Sequence, residues 1–204
     1  MHDTAMMLGA LGWSDYEGQA EVITPYFGAS GTGQINAVVS DGSGGWFIGG
    51  AFASVGGVSR ANLAHILSDN SVASWNPGAS DIVNAVVVQG QTVYVGGIFA
   101  TVGGFPRMKI AAIDAVTGAV TGWAPSANDA VGAIVPNGGK VLAGGWFTSA
   151  GGRPRFTTAA IDVLTGALLP WDPVAPQGGM IYTLEATPSA IYLGGGFTSL
   201  GGQP

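Results

Sequence analysis

The chain has 204 residues, with six Lys and Arg against twelve Asp and Glu, a net charge of −6, and no cysteine. Sparse, mostly acidic charge excludes a binder of the nucleic-acid backbone, which concentrates Lys and Arg. Without cysteine there is no disulfide scaffold, thiolate metal site or cysteine nucleophile. Glycine (36) and proline (11) are abundant, yet 47% of residues are hydrophobic, enough to bury a core.

In chain order, Ala5–Trp13 is mildly apolar but is preceded by Asp3, with no Lys or Arg, so it lacks the basic start of a signal peptide. No run reaches the roughly 18 apolar residues of a membrane span. Residues 1–20 have no counterpart elsewhere in the chain and are expected to be irregular and loosely packed. Glu21–Phe27 reads as the last strand of a preceding unit, because Phe27 precedes Ile35 by the same eight residues that separate Trp75 from Val83. Gly28–Gly33 has neither the Gly-Lys-Ser/Thr ending nor the following helix of a phosphate loop, and reads as a linker.

From here a repeat organises the chain. Gly-Gly-x-Phe-x-x-x-Gly-Gly occurs at Gly49–Gly57, Gly96–Gly104, Gly144–Gly152 and Gly194–Gly202, with starts 47, 48 and 50 residues apart. Arg60, Arg107 and Arg155 each stand three residues past the closing glycine, and the fourth copy ends at Gln203-Pro204 before that position. Trp75, Trp123 and Trp171 follow at steps of 48, each in Trp-x-Pro. Ala-Ile-Asp-x-x-Thr-Gly precedes two of them, at Ala112–Gly118 and Ala160–Gly166, where the first unit has Leu67–Ser71.

The second unit shows four short β-like runs, Ile82–Gln89, Thr92–Phe99, Ile110–Ala115 and Ala119–Trp123, separated by turn residues. Small residues at Ala37, Ala85, Ala133 and Thr183 suit an innermost strand, and paired glycine inside a strand marks close approach of another backbone. No window has a helical period, so the expected fold is all-β, a β-propeller of four-stranded blades. The units are about 35–77, 83–125 and 131–173, with an incomplete unit at 181–204. Together, 21–204 is expected to form an open, partial propeller of about 3.5–4 blades. It should associate through its unpaired C-terminal edge.

These residues resemble the delta-60 (WD-repeat-like) propeller repeats of bacterial surface and secreted proteins, with related repeats in a fungal cell-polarity marker. The resemblance rests on INAVVSDGSGGWFIGGAFASVGG, LAHILSDNSVASWNP and VYVGGIFATVGG…AAIDAVTGAVTGW, and covers about residues 21–204. It implies a propeller, an extracellular or cell-surface location and further blades in a longer protein. It carries no catalytic or ligand-binding residues to transfer.

Chemistry-bearing residues are few. His2 and His65 lie far apart, and His65 replaces the alanine of Ala112 and Ala160, so no metal site is expected. Asp41–Gly45 lacks the further carboxylates of an EF-hand and reads as a hairpin turn. Asp114 and Asp162 read as turn-stabilising partners of Thr117 and Thr165 rather than a glycosidase pair. With two histidines and no Gly-x-Ser-x-Gly, serine hydrolysis is set aside. No cofactor is expected.

The candidate ligand or partner face is formed by Arg60, Arg107 and Arg155 with Trp75, Trp123 and Trp171. For the arginines two readings stand, a repeated structural tie or a ring of guanidinium forks for an anionic ligand. The leading function is a non-enzymatic scaffold binding a protein or glycan partner, with no nucleic acid. The alternatives are a quinoprotein-like dehydrogenase, whose repeats Ala-Ile-Asp-x-x-Thr-Gly…Trp also resembles, and a glycan binder using Trp faces at the blade junctions.

Overall fold

A computed structural model describes residues 33–173 and 179–199, and among these there is no helix. Residues 1–20, Glu21–Phe27, most of the Gly28–Gly33 linker and the end of the fourth motif lie outside the described residues.

Blade 1 consists of β1 (Gln34–Ser40), β2 (Trp46–Ala51), β3 (Ser54–Val55), β4 (Val58–Ser59) and β5 (Leu63–Ile66). Blade 2 repeats it as β6 (Val83–Gln89), β7 (Thr92–Gly97), β8 (Thr101–Val102), β9 (Phe105–Pro106) and β10 (Ile110–Asp114). Blade 3 follows with β11 (Val131–Asn137), β12 (Lys140–Gly145), β13 (Ser149–Ala150), β14 (Arg153–Pro154) and β15 (Thr158–Asp162). Blade 4 contributes β16 (Met180–Ala186) and β17 (Ile191–Gly196).

In each of the first three blades the three longer strands form an antiparallel meander, β1-β2-β5, β6-β7-β10 and β11-β12-β15. The first strands pack in series, β1 on β6, β6 on β11 and β11 on β16. The result is an open arc of propeller blades.

The fourth run is shorter than its sequence suggests. It joins the third strand through one antiparallel bridge per blade, Ile66↔Val72, Ile113↔Val120 and Ile161↔Leu168. The cause is the tryptophan that follows. Trp123 leaves its own sheet to bond with blade 3, so only Ala119–Thr121 can run beside β10.

Glycine decides how closely blades stack. A Cβ on Gly96 would lie 2.6 Å from Val131 Cγ1 and 2.8 Å from Ile134 Cδ1 of the next blade, and Gly49 and Gly144 face Val83/Val86 and Ile181/Leu184 in the same way. The six facing side chains are 0–6% exposed. The motif phenylalanines fill the adjacent space, and Phe52, Phe99 and Phe147 are buried, each worth about 1.5–3 kcal/mol. The junctions between blades are therefore the core.

Two backbone features recur. Every first strand has a β-bulge, at Ile35/Ala37, Val83/Ala85, Val131/Ala133 and Ile181/Thr183. In the first two blades it frees an asparagine to reach the next blade, Asn36 Nδ2 donating to Val83 O (3.1 Å) and Asn84 Nδ2 to Val131 O (3.2 Å).

The entry to each third strand is left-handed, at Asn62 (φ 63°), Lys109 (φ 69°) and Thr157 (φ 64°). Asn62 suits this conformation and its amide bonds Phe52 N and Ala79 O. Thr157 is β-branched, 2% exposed, and its hydroxyl is buried without a partner. Thr157→Asn is therefore expected to raise stability by about 1 kcal/mol, read as a higher urea midpoint at unchanged slope. An unchanged or lower midpoint would contradict the strain assigned to this position.

Candidate binding face

Between the second and third strands each full blade projects a two-residue hairpin, β3–β4, β8–β9 and β13–β14. Its base is closed by the arginine that follows, Arg60 N donating to Ala53 O, Arg107 N to Ala100 O and Arg155 N to Thr148 O. The guanidinium then ties the hairpin to its own blade's fourth run. Arg107 donates through Nη1 to Pro106 O (2.7 Å) and through Nη2 to Thr121 O (2.5 Å). Arg60 does the same with Ser59 O and Ala73 O, and Arg155 with Pro154 O and Leu169 O. Arg155 also pairs with Asp172 at 3.4 Å.

These equivalent contacts fit the structural reading of the arginines, whose forks are turned toward carbonyls of their own blades. Each Nε is buried without a partner, which offsets part of the gain. Arg107→Ala is expected to cost about 1 kcal/mol, within roughly 0.5–2. Thermal unfolding checks this, and a loss above about 3 kcal/mol would mean the guanidinium bears more than a hairpin tie.

The tryptophans have a different role. Trp75 Nε1 donates to Asp114 O of the next blade (3.0 Å), and Trp123 Nε1 to Asp162 O (2.8 Å). Each indole rests on the glycine of that blade's Asp-x-x-Thr-Gly turn, Gly118 or Gly166. Trp75 and Trp123 are 3% and 6% exposed. Their rings belong to the core, not to the open ligand or partner face on which the sequence analysis set them. Trp171 is only partly buried and packs against the cluster formed by Ala133, Leu142, Ala160, Ile181 and Leu184.

Asp114 and Asp162 are turn residues. Asp114 Oδ1 accepts from Val116 N, Thr117 N and Thr117 Oγ1, and Asp162 Oδ1 from Leu164 N, Thr165 N and Thr165 Oγ1. Asp41 caps the longer β1–β2 hairpin through Ser43 N and Gly45 N. It also pairs with His65 Nε2 at 2.9 Å, while the imidazole stacks on Phe47 (4.2 Å between centroids). Sequence reasoning missed this pair. The signal was present, since His65 falls in the same unit as the longest first-to-second-strand hairpin among the described residues.

Burial works to raise the Asp41 carboxyl, but hydrogen bonds from His65, Ser43 and Gly45 outweigh it and hold it well below the usual carboxylate range. Asp114 and Asp162 are lowered by the Thr117 and Thr165 bonds, and Asp69 by Ser71. A depressed carboxylate stabilises the fold above its unfolded value, about 3.9, and loses that contribution as pH falls through the folded value. The stabilisation by these carboxylates should thus be constant above about pH 5 and decline steadily below about pH 4. Asp41→Asn should flatten this decline in a urea titration, and an equally steep one would exclude Asp41 as a contributor.

On the hairpin side, the outer surface of the hairpins and the linkers beside them is open to solvent. The Trp-x-Pro linkers share this face, since Ala79 bridges Val102 and Ala127 bridges Ala150 of the following hairpin. Equivalent tip positions carry Val58, Phe105 and Arg153, all exposed. Phe105 is 56% exposed, with Met108 nearby in sequence at 44%. A crevice of about 420 Å³ opens between Pro125, Ser126, Gly151, Arg153 and Leu168. No group of three or more His, Cys, Asp or Glu able to hold a metal occurs among the described residues, and no described helix is long and apolar enough to cross a membrane.

This geometry defines a repeat protein of the propeller class. The chain is similar to the computationally designed proteins Ika8 (TM-score 0.57, 16% identity, 79% of this chain and 43% of that one) and Ika4 (0.58, 16%, 84% and 92%). It is also similar to the WD40 β-propeller domain of Doa1 (0.55, 14%, 80% and 48%). It spans less than half of the Ika8 and Doa1 chains. At these identities the likeness shows the fold. No protein-family model and no curated protein matches the chain.

Proposed function

We propose that the chain is a non-enzymatic binding scaffold of the delta-60 type, part of a secreted or cell-surface protein, and that it binds a protein or glycan partner through the hairpin face. The observation that carries this reading is a constant frame with variable tips. The glycines and arginines that fix each hairpin repeat from blade to blade, while the exposed tips change from Val58 to Phe105 to Arg153. Rigid scaffolds that present variable loops are how binding modules gain specificity without altering their core. The non-enzymatic reading is supported by where the ionisable groups are used. Asp41, Asp114, Asp162 and the three repeat arginines are engaged in turns and hairpin ties.

The test is to probe peptide and glycan arrays with the labelled chain and with a Phe105→Ser, Met108→Ser double variant. Ligands captured by the parent chain should bind the variant at least about tenfold more weakly, roughly 1.4 kcal/mol, with unchanged circular dichroism. Equal capture by both, or turnover of a captured ligand, would refute the reading.

A further inference from the structure

Arg153 is the exception among the arginines. Arg60, Arg107 and Arg155 turn their guanidiniums onto carbonyls of their own blades, whereas that of Arg153 bonds to no described residue. It stands exposed on the hairpin of blade 3 and lines the crevice of about 420 Å³ beside the linker from blade 2. The hydroxyl of Ser126, in the same lining, is also without a described partner. The rest of the lining is aliphatic or backbone, with Pro125, Ala167 and Leu168 on its walls, and no described carboxylate or aromatic ring belongs to it. Its two banks are fixed against each other, because Gly151 N donates to Ser126 O (2.8 Å) and Ala127 bridges Ala150. Both polar groups are particular to this junction, since the equivalent positions in the junction before it are Gly78 and Phe105.

We propose, on the reading that the hairpin face binds the partner, that this crevice takes a carboxylate presented on a short aliphatic stem by an acidic peptide segment. A guanidinium fork with free donors matches a carboxylate through two parallel bonds, and the Ser126 hydroxyl adds a third donor. The methylenes of a Glu side chain, or the last side chain of a free C-terminus, suit the walls of Pro125 and Leu168. The volume falls within the roughly 300–1,000 Å³ of small-ligand pockets, which is room for one or two side chains. A sugar ring is held by stacking on an aromatic face, but Trp123 of this junction keeps its ring in the core at 6% exposure, so a peptide fits better. Nearby acids of the chain itself are engaged, Asp172 with Arg155 (3.4 Å) and Asp129 Oδ1 with Ala130 N (2.7 Å). Across the linker, Met108 O accepts from Ala127 N (3.2 Å), which sets the exposed Met108, with Phe105 close in sequence, beside the same linker. The partner segment therefore carries an apolar side chain next to its carboxylate, and charge complementarity fixes its register.

Octapeptides of random sequence, acetylated and with either free or amidated C-termini, are arrayed beside acidic glycans and probed with the labelled chain. Captured peptides are resynthesised with each Asp or Glu replaced by Asn or Gln, and their affinities are measured by fluorescence anisotropy. One carboxylate should be worth at least about tenfold in affinity to the parent chain and less than about twofold to an Arg153→Gln chain of unchanged circular dichroism. Arg153→Lys should keep part of the difference, and the comparison of free with amidated ends tells a side-chain carboxylate from a terminal one. Ala167→Trp, an exposed substitution on the crevice wall, should also weaken binding at least about tenfold by filling the space. Peptides that depend on Phe105 and Met108 but ignore Arg153→Gln would overturn the carboxylate site while leaving the binding face standing. So would a carboxylate preference that persists in Arg153→Gln, indifference to Ala167→Trp, or capture of acidic glycans in place of peptides. Capture of neither class would defeat the binding face itself, and the carboxylate site with it.

Discussion

Gly97→Ala is expected to be among the most damaging single-methyl changes in the chain, with a loss of roughly 3–5 kcal/mol. The added Cβ would stand far inside contact distance of the Ile82 carbonyl oxygen and 3.0 Å from Val83 Cα, backbone atoms at the entry to the bulged strand β6. That carbonyl accepts from Ile98 N (3.0 Å), so moving it breaks a ladder bond as well as the bulge. Gly96→Ala is a graded control, because its Cβ meets the side chains of Val131 and Ile134, which can yield in part. About 1–3 kcal/mol suits that overpacking. Gly122, with no atom within 4 Å of its added Cβ, should tolerate Ala within about 0.5 kcal/mol. Urea unfolding gives the order directly. Equal effects at Gly97 and Gly122 would show that β6 does not cross over the glycine.

Trp123→Ala should cost about 3–5 kcal/mol, as large aromatic truncations in cores do. The indole is 6% exposed, meets Tyr94 edge-on at 5.1 Å and joins two blades through Asp162 O. Trp123→Phe separates the contributions, since it keeps most of the apolar contact and removes the bond. About 1–2 kcal/mol is expected for it. In a repeat array each unit leans on its neighbours, so the Ala variant should also broaden the transition as the arc splits at this junction. A sharp transition at an unchanged midpoint would assign the coupling elsewhere.

Much of the fold was legible because it is periodic. The paired glycines and the fixed place of phenylalanine follow from the close stacking of blades, whereas the bulge puts Val83 on one face with Val86 and Ala85 on the other with Val87. One coupling was readable and passed over. The two units with Asp-x-x-Thr-Gly are the two full units that follow a Trp-x-Pro, and the glycine of that turn is where the preceding tryptophan rests. The first unit, which follows Phe27, has Leu67–Ser71 in its place.

Other features were hidden for physical reasons. A bulge is a backbone event that leaves the residue pattern nearly intact, and Asn36 and Asn84 showed it only faintly. Left-handed Lys109 and Thr157 run against residue preference, so no local rule would put them there. The fourth run looked like a strand because Ala119–Trp123 is apolar. Its tryptophan is apolar for the benefit of the next blade. The arginines were singled out correctly as a repeated feature, but spacing could not show which way their forks point.

Coupling of successive blades through tryptophan is the central structural claim, and indole hydrogen exchange tests it most directly. In a two-dimensional nitrogen–proton spectrum, with each indole assigned by Trp→Phe substitution, the Nε1–H signals of Trp75 and Trp123 should exchange slowly. Their rates should approach those of global unfolding, because each proton is buried in a bond to the next blade. If both exchanged as fast as a free indole, the bonds to Asp114 and Asp162 would be absent in solution, and the blades would have to be held together in some other way.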